Sequence, residues 1–262
     1  MGIMRTVIST DGTKIAYETI GKGPTVILIL GALNSRKSGS KLAKLLASNF
    51  TVVSYDRRGK GDSTDTTPYS PQREIEDLEA LIEAVGGSVY LYGHSSGAAI
   101  AIQAASKMPE KVMKLAIYEA PYSLGNEACK AAREYDAQLK ELLKAGRSGD
   151  AVALFIKAVG VSEKQIQAMK RMPIWKGLEA MAPTLSYESE VMGEGHTLPL
   201  SLLKFIKTPT LVMHGGAGAP SMAEVAQAIS ENIQNAQLCT LTGQTHGVKP
   251  KVLAPVLTEF FS

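Results

Sequence analysis

The sequence predicts an α/β fold: an eight-stranded, mostly parallel sheet with helices on both faces and a helical segment inserted late in the chain. Three observations carry this. Short β-branched runs alternate with helical patterns over the first 120 residues, the rhythm of strand–helix–strand units. That rhythm stops after Pro121, and residues 122–206 hold helical patterns with no convincing strand. It resumes at Thr210 and continues to the end. An interruption of roughly 80 residues is far longer than an ordinary loop. The expected organisation is therefore one core made of residues 1–121 and 207–262, with residues 122–206 inserted, rather than two domains in tandem.

The elements follow in order. Thr6–Ser9 and Lys14–Glu18 read as strands joined through Asp11-Gly12, a hairpin turn signal, so the sheet opens antiparallel. Thr25–Leu30, Thr51–Tyr55, Ser88–Tyr92 and Leu115–Tyr118 are the next strands. Their Val, Ile and Leu content suits burial on both faces. Between Thr51–Tyr55 and Ser88–Tyr92 lies a well-signalled helix. Ser70 is its N-cap, Pro71 its first residue, and Glu74 and Glu76 suit the dipole. Ile75, Leu78, Leu81, Ile82 and Val85 form its apolar stripe, and Gly86-Gly87 ends it. Beyond the insertion, Thr210–His214 and Gln237–Leu241 read as strands, with Ser221–Ile233 and Val252–Phe261 as helices. No internal repeat or low-complexity segment is present.

Composition narrows the function. Lys plus Arg is 28 against 25 for Asp plus Glu, a net charge of +3. So small a surplus gives no electrostatic case for nucleic acid or an anionic membrane. No run is long and apolar enough for a membrane span or a signal peptide. Met1-Gly2 with Thr6 formally fits a myristoylation pattern, and Asn49-Phe50-Thr51 a glycosylation sequon; nothing else supports either. Cys129 and Cys239 form no disulfide framework or zinc pattern, so a reducing cytoplasm is expected. No metal or cofactor is expected, because no His/Cys/Asp spacing and no phosphate loop is present.

The chemistry centres on Gly93-His94-Ser95-Ser96-Gly97, a G-x-S-x-G pattern. It lies between a strand (Val89-Tyr-Leu-Tyr) and an Ala-rich helix from Ala98 to Lys107. In that strand–turn–helix setting the serine is presented on a strained turn, and the two glycines give the room. Serine needs an adjacent base to act as a nucleophile. His246, in a polar turn after the last strand, is the best placed in chain order. His94 is expected to point beneath the turn, and His214 to be structural.

Here the sequence resembles the α/β-hydrolase superfamily, over essentially the whole chain. The carrying segments are the serine turn, Tyr55-Asp-Arg-Arg-Gly-Lys-Gly-Asp-Ser63, Pro209-Thr-Leu-Val-Met-His-Gly215 and Thr245-His-Gly247. The resemblance implies that Ser95 is the nucleophile and His246 the base. It implies that the amides of Ser96 and Ala32 hold the oxyanion, with Leu33 beside the latter as a substrate contact. The insertion corresponds to the superfamily's helical cap. Asp56 and Asp62 fall in a loop that usually braces the fold.

One feature departs from the pattern. The superfamily's acid usually follows the seventh strand, where this chain reads Gly215-Gly-Ala-Gly-Ala-Pro220 and Gly218 stands at the acid position. Some members place the acid at the end of the sixth strand instead, where Glu119 stands. An acid there, in an otherwise apolar segment, is costly without a partner. Asp136, Glu188 and Glu190 are weaker alternatives, and a Ser–His dyad without an acid is a further one.

The expected activity is hydrolysis of a small or medium, mostly apolar carboxylic ester or lactone, with a small molecule as the only partner. A cofactor-free perhydrolase using the same Ser and His is one alternative. A non-catalytic small-ligand-binding protein, suggested by Gly218, is another. Trp175, Met172, Met169, Met181 and Tyr187 would roof an apolar pocket or, equally, form the cap's own core; His196 is a further substrate contact. The residues carry no signal for a particular oligomeric state.

Overall fold

The computed structural model describes residues 3–262; the Met1-Gly2 pattern lies outside the described residues. Eight strands build one sheet: β1 (Met4–Ile8), β2 (Lys14–Ile20), β3 (Thr25–Ile29), β4 (Thr51–Tyr55), β5 (Val89–His94), β6 (Val112–Tyr118), β7 (Thr210–Gly215) and β8 (Ala236–Leu241). Their spatial order is β1-β2-β4-β3-β5-β6-β7-β8. The β1–β2 and β2–β4 pairs are antiparallel and the other five parallel. The Asp11-Gly12 turn thus starts an antiparallel edge on a parallel sheet, with Gly12 at φ +86°.

The pleat sorts side chains onto two cores. Ile27, Ile29, Leu91, Leu115 and Ile117 face α2 (Pro71–Ala84), α3 (Ser96–Lys107) and α10 (Pro220–Asn232). Val26, Leu28, Tyr92, Ala116 and Tyr118 face α1 (Ser40–Leu46) and α11 (Pro250–Phe261). Alternate residues of one strand point to opposite faces, so a strand covered on both faces must be apolar throughout. The stripe of α2 is buried as its period requires; Ser70 caps the helix by position only, since its hydroxyl makes no capping bond.

Between β6 and β7 the chain forms six helices: α4 (Gly125–Lys144), α5 (Ser148–Ala158), α6 (Glu163–Met169), α7 (Ile174–Met181), α8 (Leu185–Met192) and α9 (Leu200–Leu203). The insertion has its own apolar cluster around Val152, Ile156, Ile166, Trp175 and Leu178. A second cluster, with Leu139, Ala151 and Leu185, includes Ala32 of the sheet domain and joins the two parts. Among the described residues no helix is long and apolar enough to cross a membrane.

The topology fixes where a site can form. β3 lies between β4 and β5, so the chain leaves it one way for β4 and later returns to its other side. The loops after β3 and β5 therefore diverge at the carboxyl edge of the sheet and leave a crevice between them.

Candidate active site

Ser95 sits in that crevice, on the turn from β5 to α3. Its backbone is held at φ 57° and ψ −131°, outside the regions a side chain normally permits. The turn closes only because its flanks are glycine. A Cβ on Gly93 would lie 2.6 Å from the Ala98 Cα, and one on Gly97 would collide with the Ile29 carbonyl. Ser95 N donates to the Tyr118 carbonyl at 3.0 Å, which ties the turn to β6.

β6 ends at Tyr118, and the next residue is Glu119, at φ +46° and buried. Its Oε2 lies 2.7 Å from His246 Nδ1, and its Oε1 accepts the Gly215 N–H at 2.9 Å. With the carboxylate ionised, Nδ1 carries the proton and Nε2 is left bare, which is the tautomer a general base requires. Burial alone would raise the Glu119 pKa; the hydrogen bonds from His246 and Gly215 outweigh it and hold the carboxyl below its usual value. A Cβ on Gly218 would stand 3.0 Å from Glu119 Oε1. The loop after β7 is thus glycine where the Glu119 carboxylate needs the space.

Two further groups hold the His246 loop. Tyr118 Oη donates to the Thr245 carbonyl at 2.6 Å, and His94 Nε2 donates to the His246 carbonyl at 3.0 Å. Burial, then the neighbouring His246, lowers the His94 pKa from 6.5 to about 4, so the ring is neutral. An unfolded His94 binds a proton more readily than a folded one throughout that interval. Stability linked to His94 is therefore full above about 6.5 and is lost as pH falls towards about 4. The Tm of a His94→Gln variant should decline less over that interval than that of wild type, as followed by scanning calorimetry.

Ser95, Ser96, Glu119, Ala32, His196 and His246 all line one cavity of about 880 Å³. No hydrogen bond yet joins Ser95 Oγ to His246 Nε2; catalytic pairs often tighten only around substrate. Among the described residues neither the Ala32 nor the Ser96 amide donates to a backbone carbonyl in a turn or loop. Tyr135, Phe155, Val161, Met192 and Met222 give the cavity its apolar wall, and among the described residues no lysine or arginine lines it.

The structure does not bring every expected residue to this cavity. Trp175 packs inside the insertion with Val152 and Ile156, its Nε1 donating to Glu179 at 2.9 Å. Met172 is 54% exposed, and both border a separate surface hollow. The apolar residues of α7 cluster with Val152 and Ile156 of α5 and Ile166 of α6, and no residue of α7 lines the cavity. Met169 and Met181 pack against the same cluster, and Tyr187 stacks on Tyr69 with ring centroids 3.7 Å apart. Leu33, at φ +53°, packs between the two apolar clusters of the insertion rather than into the cavity. His196 does line the cavity, 3.1 Å from Asp136 Oδ1 through Nε2. His214 lies within β7 and bonds Thr240 Oγ1 at 2.8 Å.

The loop after β4 is richer than the sequence suggested. Asp56 is buried and accepts from the amide and guanidinium of Arg36. Arg58 pairs with Asp77 at 2.7 Å. Arg57 reaches Glu74 at 2.6 Å and Glu188 of α8 at 2.7 Å, and Lys60 reaches Glu188 at 2.5 Å. The residue type was the only signal: Arg57, Arg58 and Lys60 in a loop where the polypeptide is otherwise Gly, Asp and Ser.

A doubly covered, mostly parallel sheet with a serine turn after β5 and a helical insertion after β6 is the α/β-hydrolase fold. Residues 28–254 match the Alpha/beta hydrolase family. The chain belongs to that family and is a hydrolase of the α/β fold. It is similar to the crystal structure of an alpha/beta hydrolase from Sphaerobacter thermophilus DSM 20745: TM-score 0.88 and 45% identity, covering 98% of this chain and 100% of that one. Uncharacterized hydrolase YraK of Bacillus subtilis is 26% identical over 84% of this chain and 80% of its own length. Serine hydrolase BPHL of Mus musculus is 26% identical over 79% of this chain and 68% of its own length.

Proposed function

We propose that this hydrolase cleaves small or medium, mostly apolar carboxylic esters or lactones through an acyl-enzyme on Ser95. The observation that carries this reading is the 2.7 Å contact of His246 Nδ1 with Glu119, in the cavity that Ser95 lines. Ser95 Oγ attacks the acyl carbon while His246 Nε2 takes its proton, and Glu119 stabilises the imidazolium. The amides of Ala32 and Ser96 receive the developing oxyanion. His246 returns the proton to the leaving alkoxide, and water, deprotonated in turn by His246, releases the acid.

The cavity supports the substrate class. Its volume suits a small ligand. Its wall is aromatic and aliphatic, and without a lysine or arginine it offers no fixed cation to a carboxylate or phosphate substrate. We read residues 1–121 and 207–262 as the catalytic core, residues 122–206 as a cap, and His196 as a substrate contact. The free Cys129 and Cys239 fit a cytoplasmic setting, with no nucleic acid or membrane as partner.

The test is a fluorophosphonate probe with peptide mapping, alongside nitrophenyl esters of graded acyl length. Ser95 should carry the label, and turnover should peak at short or medium chains. A folded protein left unlabelled at Ser95 overturns the proposal.

A further inference from the structure

The oxyanion loop is held from an unexpected side. Lys60 Nζ donates to the Gly31 carbonyl at 3.3 Å, and Arg57 Nη1 to the Leu30 carbonyl at 3.4 Å. The Gly31 carbonyl and the Ala32 N–H belong to one trans peptide unit, so they point in opposite directions. A donor fixed on that carbonyl therefore fixes the direction of the Ala32 N–H. Gly31 is also pressed on Ser95: a Cβ there would come within 2.9 Å of the Ser95 Cβ.

Lys60 does not hold its place alone. It is 1% exposed, and burial together with the nearby Arg57 charge lowers its pKa. Its partner is Glu188 Oε1 at 2.5 Å, while Glu188 Oε2 takes Arg57 Nη1 at 2.7 Å. Glu188 belongs to α8 of the insertion, more than a hundred residues further along the chain. Burial would raise the pKa of Glu188; the two cations outweigh it and keep the carboxylate well below its usual value. With Glu74 on Arg57, two cations face two anions, and all four are buried. Taking the charge from Glu188 leaves two adjacent buried cations with one anion, which the interior does not tolerate. Lys60 must then lose its proton or withdraw, and in either case Gly31 loses the ammonium that holds it.

We propose that Glu188 is a positioning residue: reaching from the helical insertion, it holds Lys60 on the Gly31 carbonyl and so keeps the Ala32 N–H directed at the oxyanion. This rests on the Ser95 mechanism proposed above. It makes the seating of the insertion a condition for a formed oxyanion hole.

The test compares wild type with E188Q, K60M and the double variant K60M/E188Q, all normalised to Ser95 titrated with a fluorophosphonate. Of these four charges the double variant keeps only the balanced Arg57–Glu74 pair, so it is the one expected to keep wild-type folding. Each variant should lose about 10²-fold in kcat with KM nearly unchanged, the cost of one misplaced oxyanion donor. The double should lose no more than the worse single, because both act through one contact. An aryl boronic acid, which adds to Ser95 Oγ as a tetrahedral anion, should weaken in proportion to kcat. A non-hydrolysable ether analogue of the substrate should bind as to wild type. A merely structural role lowers Tm or the titrated active fraction and leaves the boronate-to-ether affinity ratio unchanged. That ratio unchanged in the double variant, or kcat per titrated site within about threefold of wild type, overturns the proposal. If wild type itself neither labels nor hydrolyses esters, the Ser95 reading has failed instead.

Discussion

Glu119→Gln should lower kcat for ester hydrolysis by about 10⁴-fold at neutral pH while the protein stays folded. The size follows from the hydrogen bonds. Oε1 of residue 119 accepts the Gly215 N–H, so a glutamine there must keep its carbonyl oxygen on that side. Its NH₂ group then faces His246 Nδ1, which has to become an acceptor. The proton moves to Nε2, and the ring can no longer take the Ser95 proton. The negative charge that would stabilise the imidazolium is lost as well. Steady-state kinetics with circular dichroism decides: wild-type rates in a folded variant would remove Glu119 from the mechanism. A companion variant uses the space beside Gly218. E119G should be as slow as E119Q, and E119G/G218D should recover at least about tenfold, since an aspartate at 218 enters the volume that Glu119 vacates.

Ser95→Ala should cost about 10⁶-fold in kcat and abolish fluorophosphonate labelling. The neighbouring hydroxyl does not replace the nucleophile: Ser96 lies on the first turn of α3 and its Oγ is buried. Ser95→Gly adds a stability reading. The residue is held at φ 57° and ψ −131°, a conformation glycine adopts freely and serine does not. The glycine variant should be inactive yet more stable than wild type by about 1 kcal/mol in denaturant titration. An equal or lower stability would show that the turn stores no strain.

Much of this was legible residue by residue. The serine turn carries its own signature, because a turn that tight needs glycine at 93 and 97 and a strand and helix on either side. Glu119 was legible because an acid ending an apolar strand needs a partner, and His246 because it follows the last strand in the order the fold requires. The choice between pocket roof and cap core for Trp175 and Met172 was left open for an equally local reason. Large apolar side chains on short helices show that a face is buried, not which neighbour buries it. In α7 that neighbour is the insertion's own cluster. The anchoring of His246 by His94 and Tyr118 was missed because both bonds run to backbone carbonyls, which every residue possesses.

The sequence by itself determined the sheet, the interruption after Pro121 and the serine turn; with the family resemblance it also singled out His246 and, among several acids, Glu119. The sheet and the serine turn rest on local rules, side-chain period and turn stereochemistry; for Glu119 the cost of an unpaired charge added to the resemblance. Tertiary structure decided how far Glu119 reaches, why position 218 is bare, and that Lys60 and Arg57 meet Glu188 beside the Leu30 and Gly31 carbonyls. Those contacts join residues 128 and 131 positions apart. No local pattern encodes such a pairing. It exists only because the fold removes four charges from water together, and a buried charge is tolerable only beside its opposite.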